Sequence, residues 1–228
     1  MTPPLRTISS MATRSLLAEL TAEYTRATGR EVQLEAVGGV DAARRVAAGE
    51  AFDAVVLAAD AIDKLIAGGA VVAGSRVDLV RSPVALAVRQ GAPRPDIGTL
   101  EALAGVLRSG GRIGYSTGPS GTYLVQLCER LGIETQGRLV QARPGVPVAA
   151  LVARGECELG FQQLAELLGQ EGVEVIGLLP PGAGHVTTFA AGLCRTASAP
   201  EAVRDWIAFL NAPAATATKR RHGMESCA

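Results

Sequence analysis

The sequence predicts an α/β fold made of two doubly wound lobes that are joined by a two-strand hinge. Short apolar runs alternate with amphipathic helical patterns along the chain, and that alternation produces parallel sheets with helices on both faces. The units form two series, separated by extended stretches near Arg81–Val84 and Thr188–Ala190. We therefore assign residues 1–81 and 190–228 to lobe 1 and residues 82–189 to lobe 2, with a cleft between them.

The first lobe begins with a short strand, Leu5–Ser9, and a helix that Gly29 ends, because apolar residues between them recur at helical spacing. A second strand, Glu31–Val37, alternates apolar and polar residues. The elements expected next are a helix with Asp41 in its first turn, the buried strand "FDAVVLAAD" and a helix ending at Gly68-Gly69.

The second lobe begins with the long strand "PVALAVRQ" and continues with strand–helix units. Thr99 is a suitable N-cap for a helix from Leu100 onward. The later strands are predicted at "RIGYS", Gly137–Arg143, Glu158–Gln163, "VEVIGLL" and Val186–Cys194, with helices at "SGTYLVQLCERLG" and "VPVAALVARGE" and two more helices closing the chain.

Composition excludes several classes of partner. The 228 residues are 48% hydrophobic, and 22 basic residues balance 22 acidic ones, so no basic surface for nucleic acid or an anionic membrane is expected. No apolar stretch is long enough to insert into a membrane. The four cysteines and two histidines have no metal-site spacing, so neither a metal nor a cofactor is expected. The N-terminal segment lacks a signal-peptide pattern; we expect a cytoplasmic protein as given, or a periplasmic one if a leader was removed.

Polar loops precede several of the predicted helices, at the carboxyl ends of strands, where ligands of α/β sheets bind. Free backbone N–H groups and the helix dipole make such helix starts anion sites without any lysine, and an arginine there can clamp a carboxylate. The candidate residues for binding a small oxyanion or carboxylate are Ser9, Ser10, Met11, Gly38, Gly39, Ser116, Thr117, Gly118, Ser120, Gly121, Thr122, Tyr123, Arg143, Gln162 and Gln163.

Each of these features also has a purely structural interpretation. The serines of the first loop could cap a helix, Gly38-Gly39 could form only a tight turn, and Arg143 could be an ordinary surface residue. His185 fits a loop histidine better than a catalytic one. The Ser116–Thr122 loop matches neither the phosphate-binding loop nor the nucleophile elbow, so no catalytic residue is assigned.

The chain resembles the two-lobed solute-binding proteins of ABC transporters, and within them the molybdate-binding type. The resemblance extends from Arg6 to about Gly223 and is carried by "AARRVAAGEAFDAVVLAAD", "RIGYSTGPSGTYLVQLCERLG" and "ALVARGECELGF". It implies a type II periplasmic-binding-protein fold, a small anionic ligand and an ABC permease as partner. Molybdate binders place a serine where Ala12 and Gly39 stand here and a tyrosine at Gln163. Two glutamines and Arg143 suit carboxylate and hydroxyl groups better.

The combination "SSMATRSLLAEL", "VGGVDAARRVAAGE" and "GPSGTY…GFQQ" is similar to a divergent branch of this family that includes aconitate isomerase. An enzyme of that branch would move a proton along an allylic tricarboxylate, which requires a positioned base. The nearby candidates are Tyr115, Tyr123, Glu166 and His185. The sequence thus leaves two hypotheses open: a module that binds a small anion, and an aconitate isomerase-like enzyme.

Overall fold

The chain forms two compact units, which comprise residues 1–81 with 188–228 and residues 82–187. The computed structural model describes residues 3–109, 111–135, 137–143 and 145–227. The chain passes between the units within two strands, β4 (Val77–Arg89) and β9 (Val186–Leu193). No helix within the described ranges combines the length and apolar character needed to cross a lipid bilayer.

The first unit contains a sheet in the order β2-β1-β3-β9, in which β1 is parallel to β2 and β3 and β9 is antiparallel to β3. A short strand near the C-terminus pairs antiparallel with the start of β4. The elements are β1 (Leu5–Ser10), α1 (Arg14–Thr28), β2 (Val32–Val37), α2 (Gly39–Ala47), β3 (Ala54–Ala58), α3 (Ala59–Ala67), α8 (Pro200–Asn211), α9 (Thr216–Arg221) and β10 (Glu225–Ser226), with short 3-10 helices at Met11–Thr13 and Pro213–Ala215.

Helices cover both faces of this sheet. Ile8 and Val55 join side chains of α2 and α3, such as Val46 and Ile62, in one buried cluster. On the other side α1 packs against α8, and Tyr24 meets Phe209 edge-on with ring centroids 5.4 Å apart. Burial of apolar side chains on both faces is the main stabilising contribution expected for such a unit.

The second unit contains strands in the order β4-β7-β5-β6, and β8 pairs with β4. β5 is parallel to both β6 and β7, whereas β7 is antiparallel to β4. The elements are α4 (Leu100–Ser109), β5 (Ile113–Tyr115), α5 (Pro119–Arg130), β6 (Leu139–Gln141), α6 (Val148–Ala153), β7 (Leu159–Gln163), α7 (Leu164–Leu167) and β8 (Val173–Leu178).

The two faces of the second sheet have separate cores. Leu86 and Phe161 pack with α4 and α5 in the larger cluster, which we call the α4/α5 face. Ala85 and Ala87 pack with Ala149 of α6 and Leu167 of α7; we call this the α6/α7 face. Because successive strand residues point to opposite faces, each residue of β7 belongs to one face or the other.

Helix boundaries follow the predicted local chemistry at two places. The N–H of Ala102 donates to Thr99 Oγ1 at 3.1 Å, so α4 begins at Leu100 as predicted. Gly29 takes a φ of 71° at the end of α1, a left-handed conformation that glycine adopts at little cost.

The strand predicted over Gly137–Arg143 is shorter in the structure. Turns occupy both of its ends, since Arg138 N–H donates to Thr135 O at 2.9 Å and Val146 N–H donates to Arg143 O at 2.9 Å. Pairing with β5 is therefore confined to Leu139–Gln141, and Arg143 is left in the loop that follows β6.

Candidate functional site

Three parallel strands of the second unit end at the same edge of the sheet. Ile113 of β5 is in register with Leu139 of β6 and with Leu159 of β7, so the loops that follow these strands are neighbours. Ala142 N–H also donates to Tyr115 O at 2.8 Å, which fixes the exposed Arg143 close to the Ser116 loop. The register therefore brings three of the predicted polar segments of this unit to one edge.

The loop after β5 leads directly into α5 without a side-chain cap. Gly118 is the N-cap residue and Pro119 the first helical residue. Gly118 N–H donates to Ser116 Oγ at 3.3 Å. Ser120 and Thr122 lie inside the first helical turn, so neither hydroxyl occupies the capping position. Within the described residues, the N–H of Ser120 meets no backbone acceptor and is free to bind an anion.

Gly121 allows the loop to fold tightly against the start of α5. A Cβ at this position would lie 1.7 Å from Ser116 O and 2.9 Å from Tyr115 Cδ2. Real Cβ atoms do not approach other atoms so closely, and both neighbours belong to the strand and loop that position the site. Glycine is therefore required here by close approach of the backbone rather than by an unusual φ.

Gln162 and Gln163 are adjacent in β7 but point to opposite faces. Gln163 is in register with Val84 and Gln162 with Ala85, and these two residues belong to the α4/α5 and α6/α7 cores respectively. Only Gln163 therefore shares the face from which α5 begins. The two side chains therefore occupy different environments, although the residues are adjacent in the sequence.

Gln163 belongs to a buried polar cluster that the sequence interpretation missed. Its Nε2 donates to Thr187 Oγ1 at 2.7 Å, and Ser82 lies two residues before Val84 on the same strand face. Ser82 is 0%, Gln163 1% and Thr187 7% exposed, and Ser82 Oγ and Gln163 Oε1 have no partner within the described residues. Single Ser and Thr residues in apolar strands carry no signal that would mark them as partners of a distant glutamine.

Tyr123, in α5, stacks on His185. The ring centroids are 4.2 Å apart and the ring planes differ by 13°. Tyr123 Oη donates to Ala183 O at 3.0 Å and accepts from Arg130 Nη2 at 3.2 Å, so this hydroxyl is engaged with protein partners. Burial lowers the pKa of His185, which favours the neutral imidazole at pH 7.

Glu166 lies on the α6/α7 face next to Gln162. Gln162 Nε2 donates to Glu166 Oε1 at 2.8 Å, and burial raises the pKa of the Glu166 carboxyl to about 7. Gln162 Oε1 has no partner within the part of the chain that the structure describes. The Gln162–Glu166 pair therefore places one titratable carboxyl, that of Glu166, in a layer of side chains that is otherwise apolar.

The predicted polar residues of the first unit lie at the carboxyl ends of β1 and β2. Ser9 and Ser10 are both buried, and they end β1 on opposite faces because side chains alternate along a strand. Ser10 Oγ is buried without a partner among the described residues. A Cβ at Gly39 would lie 3.7 Å from Ser10 Cβ, which places Ser10 beside the start of α2.

Neither helix start in this part of the first unit has a side-chain cap. Gly38 is the N-cap of α2, and its carbonyl accepts from Ala42 N–H at 2.9 Å. Met11 begins the short 3-10 helix, whose N-cap Ser10 makes no capping bond with its side chain. Capping by the first-loop serines, the structural alternative to a binding role, is therefore absent from the described contacts, and N–H groups at both helix starts remain free.

A groove of about 700 Å³ on the first unit lies between α1 and β2 rather than at these loops. Arg14 and Glu35 supply its charged groups, and Thr21 and Leu34 are among its lining residues. Within the described residues, no group of three His, Cys, Asp or Glu side chains is placed to hold a metal ion.

Comparison with known proteins gives one family match and one close curated relative. A family model described as bacterial extracellular solute-binding protein matches residues 5–225. An aconitate isomerase from a Pseudomonas species is 37% identical over 214 residues, which cover 90% of this chain and 81% of that protein.

Solved structures share the fold at low sequence identity. The periplasmic molybdate-binding protein of Azotobacter vinelandii has a TM-score of 0.79 at 18% identity and covers 96% of this chain and 98% of its own. The sulfate-binding protein SubI of Mycobacterium tuberculosis has a TM-score of 0.80 at 15% identity, with coverages of 99% and 88%. A tungstate ABC transporter protein of Geobacter sulfurreducens has a TM-score of 0.74 at 18% identity, with coverages of 94% and 97%. The predicted type II periplasmic-binding-protein fold is confirmed.

We expect Gly121→Ala to lower the free energy of unfolding by about 2 kcal/mol or more, because the added Cβ clashes with Ser116 O. Chemical denaturation followed by circular dichroism measures the change. Gly118→Ala is the matched control, since Gly118 has a φ of −79° and its nearest neighbour would be Ser116 Oγ at 3.5 Å. Equal stability of the two variants would contradict the assigned role of Gly121.

We expect the free energy of unfolding to fall as the pH rises from 4.5 to about 7, because the Glu166 pKa is raised on folding. The stabilisation is complete below pH 4.5 and lost as the pH passes about 7; the shift corresponds to about 3 kcal/mol. Urea unfolding between pH 4.5 and 8 measures this slope. Glu166→Gln should remove it and the exposed Glu171→Gln should keep it; an unchanged slope in Glu166→Gln would refute the assignment.

Proposed function

The chain belongs to the family of bacterial extracellular solute-binding proteins, and we propose that it binds a small anion that carries carboxylate groups. The observation that carries this proposal is the uncapped start of α5, where a free N–H at Ser120 and the buried Ser120 side chain adjoin the close-packed Gly121. Such a helix start attracts negative charge through its N–H groups and its dipole.

A carboxylate fits the neighbouring side chains better than a tetrahedral oxyanion. Arg143 is exposed in the loop after β6, next to the Ser116 loop, and a guanidinium can bind a carboxylate with two parallel hydrogen bonds. The 37% identical relative is an aconitate isomerase, and aconitate carries three carboxylates. Joint use of the polar loops of both units stays a prediction of the sequence, as do a permease partner and the compartment.

A second candidate function is the isomerisation of such an anion. Two observations favour it: the similarity to aconitate isomerase over 90% of the chain, and a neutral histidine fixed by the α5 residue Tyr123. Moving a double bond between the two arms of aconitate requires removal of an allylic proton and delivery of a proton at the other end. A fixed imidazole that is neutral at pH 7 can accept such a proton.

We expect cis-aconitate, trans-aconitate or citrate to raise the melting temperature, and molybdate, tungstate and sulfate to leave it unchanged. A ligand at a hundred times its Kd stabilises the folded chain by about 2.7 kcal/mol. Arg143→Gln should weaken carboxylate binding at least tenfold, measured by calorimetry, because it removes a charged clamp. Arg154→Gln, at an exposed arginine paired with Glu156 in the same unit, should bind like the wild type.

Stabilisation by molybdate or tungstate alone would overturn the carboxylate assignment and return the chain to oxyanion binding. Equal binding by the Arg143 and Arg154 variants would remove Arg143 from the site.

We expect the purified chain to convert cis-aconitate into the trans isomer, because one allylic proton transfer interconverts them. Proton NMR distinguishes the vinyl protons of the two isomers and gives the rate directly. Heat-denatured protein is the control for the uncatalysed reaction. Binding of aconitate without turnover above that control would leave the binding function and eliminate the isomerase.

A further inference from the structure

The isomerisation proposed above lacks an assigned base, and the second unit contains one histidine in a defined setting. We propose that His185 is the group that accepts and returns the allylic proton, and that Tyr123 positions its ring. This inference rests on the proposed isomerase function.

The imidazole ring of His185 is fixed by stacking, although neither of its nitrogens has a hydrogen-bond partner among the described residues. Its ring stacks on Tyr123 at 4.2 Å, and its backbone carbonyl accepts from Val84 N–H at 3.0 Å. Within the described residues, no hydrogen bond or ion pair reaches either ring nitrogen. The residue is only partly buried. A ring that is fixed by stacking and retains free nitrogens can exchange a proton with a bound molecule.

Tyr123 is itself fixed from two directions. Its hydroxyl donates to Ala183 O and accepts from Arg130, and Arg130 Nη2 also donates to Gly182 O at 3.1 Å. These contacts connect α5 to the segment immediately before His185. Rotation of the Tyr123 ring is thereby restricted, and the stacked imidazole keeps one orientation. Preorganisation of this kind is what an effective proton-transfer group needs.

His185 lies on the face of the sheet from which α5 begins. Thr187 is two residues further along the extended chain, so both side chains share one face, and Thr187 accepts the Gln163 amide hydrogen bond. Tyr123 follows Ser120 and Gly121 by one turn or less in α5. The imidazole therefore stacks on a side chain from the second turn of the helix whose start is proposed to bind a carboxylate.

The electrostatic surroundings keep His185 neutral. Burial lowers its pKa. Of the titratable or charged groups of α5, Tyr123 stacks on its ring and Arg130 contacts Tyr123; Cys128 is buried in the α4/α5 core and Glu129 is exposed. The partly buried acid Glu166 belongs to the opposite, α6/α7, face. No carboxylate among the described residues is thus placed to hold His185 as an imidazolium before substrate binds.

The chemical step balances without any other reactant. An imidazole nitrogen removes a proton from the methylene carbon next to the double bond, and the C–H electron pair forms a new double bond to the central carbon. The electron pair of the old double bond takes up a proton at its far carbon, from the imidazolium. The dienolate that forms between these steps carries its additional negative charge on a carboxylate. Free backbone N–H groups and Arg143 stabilise that charge.

The experiment compares His185→Gln and His185→Phe with wild type and with His222→Gln, the other histidine, which contacts Glu19 at 2.8 Å in the first unit. His185→Phe retains an aromatic ring over Tyr123. Both His185 variants should bind trans-aconitate within about threefold of wild type, but kcat should fall about 10²–10⁴-fold. Deuterium incorporation from D₂O into aconitate should fall in parallel. His222→Gln should turn over normally.

The pH profile of the wild-type chain gives a readout that needs no variant. The catalytic form is the neutral imidazole, so kcat/KM should rise through a pKa below 6.5 and level off above about pH 7.5. For the positioning role, Tyr123→Leu should lower kcat at least tenfold with KM unchanged. Tyr123→Phe keeps the stacked ring but loses the hydroxyl contacts, so its kcat should lie between those of Tyr123→Leu and the wild type.

Turnover by either His185 variant within threefold of wild type would overturn the proposal, as would a kcat/KM that does not change below pH 7. A wild-type chain that binds aconitate and never isomerises it would eliminate the isomerase and the role of His185 together, while the binding function stands. If the wild type isomerises aconitate and either His185 variant does so at a similar rate, the role of His185 is refuted while the isomerase function stands.

Discussion

The close approach of Ser116 O to Gly121 is the constraint on which the candidate site depends. It folds the loop after β5 tightly onto the first turn of α5, since a Cβ at Gly121 would lie 1.7 Å from that oxygen. The loop then has no side chain in the capping position, and the free N–H of Ser120 faces whatever binds there. The anion site that we propose in this unit thus depends on backbone geometry, to which Arg143 would add a full charge.

Desolvation acts in opposite directions on the two titratable groups that flank the second sheet. On the α6/α7 face it raises the pKa of Glu166, which favours the neutral acid; on the α4/α5 face it lowers the pKa of His185, which favours the neutral base. Both effects remove net charge from the apolar layers. They also leave an unprotonated imidazole stacked on a side chain of α5, which is the protonation state that the proposed allylic isomerisation requires.

Local sequence patterns predicted most elements of the fold. The Thr99 cap, the Gly29 stop and the alternation of strands and helices all depend on neighbours a few residues apart, and the structure contains them. A polar segment at a helix start, Ser116–Thr122, was also predicted, because its density of Ser, Thr and Gly exceeds what a cap needs; in the structure only Ser116–Gly118 form a loop, since α5 begins at Pro119. The expected strand over Gly137–Arg143 was too long, since the turns that shorten it leave only weak signals in the sequence.

The sequence by itself determined the α/β class, the order of the elements and the polar loops at helix starts, because periodicity and turn chemistry are local. Only the tertiary structure decided that Gln162 and Gln163 point to opposite faces of the sheet, that Gln163 donates to Thr187, and that Tyr123 stacks on His185. These outcomes depend on strand register and on packing between residues far apart in the chain, which no local pattern encodes.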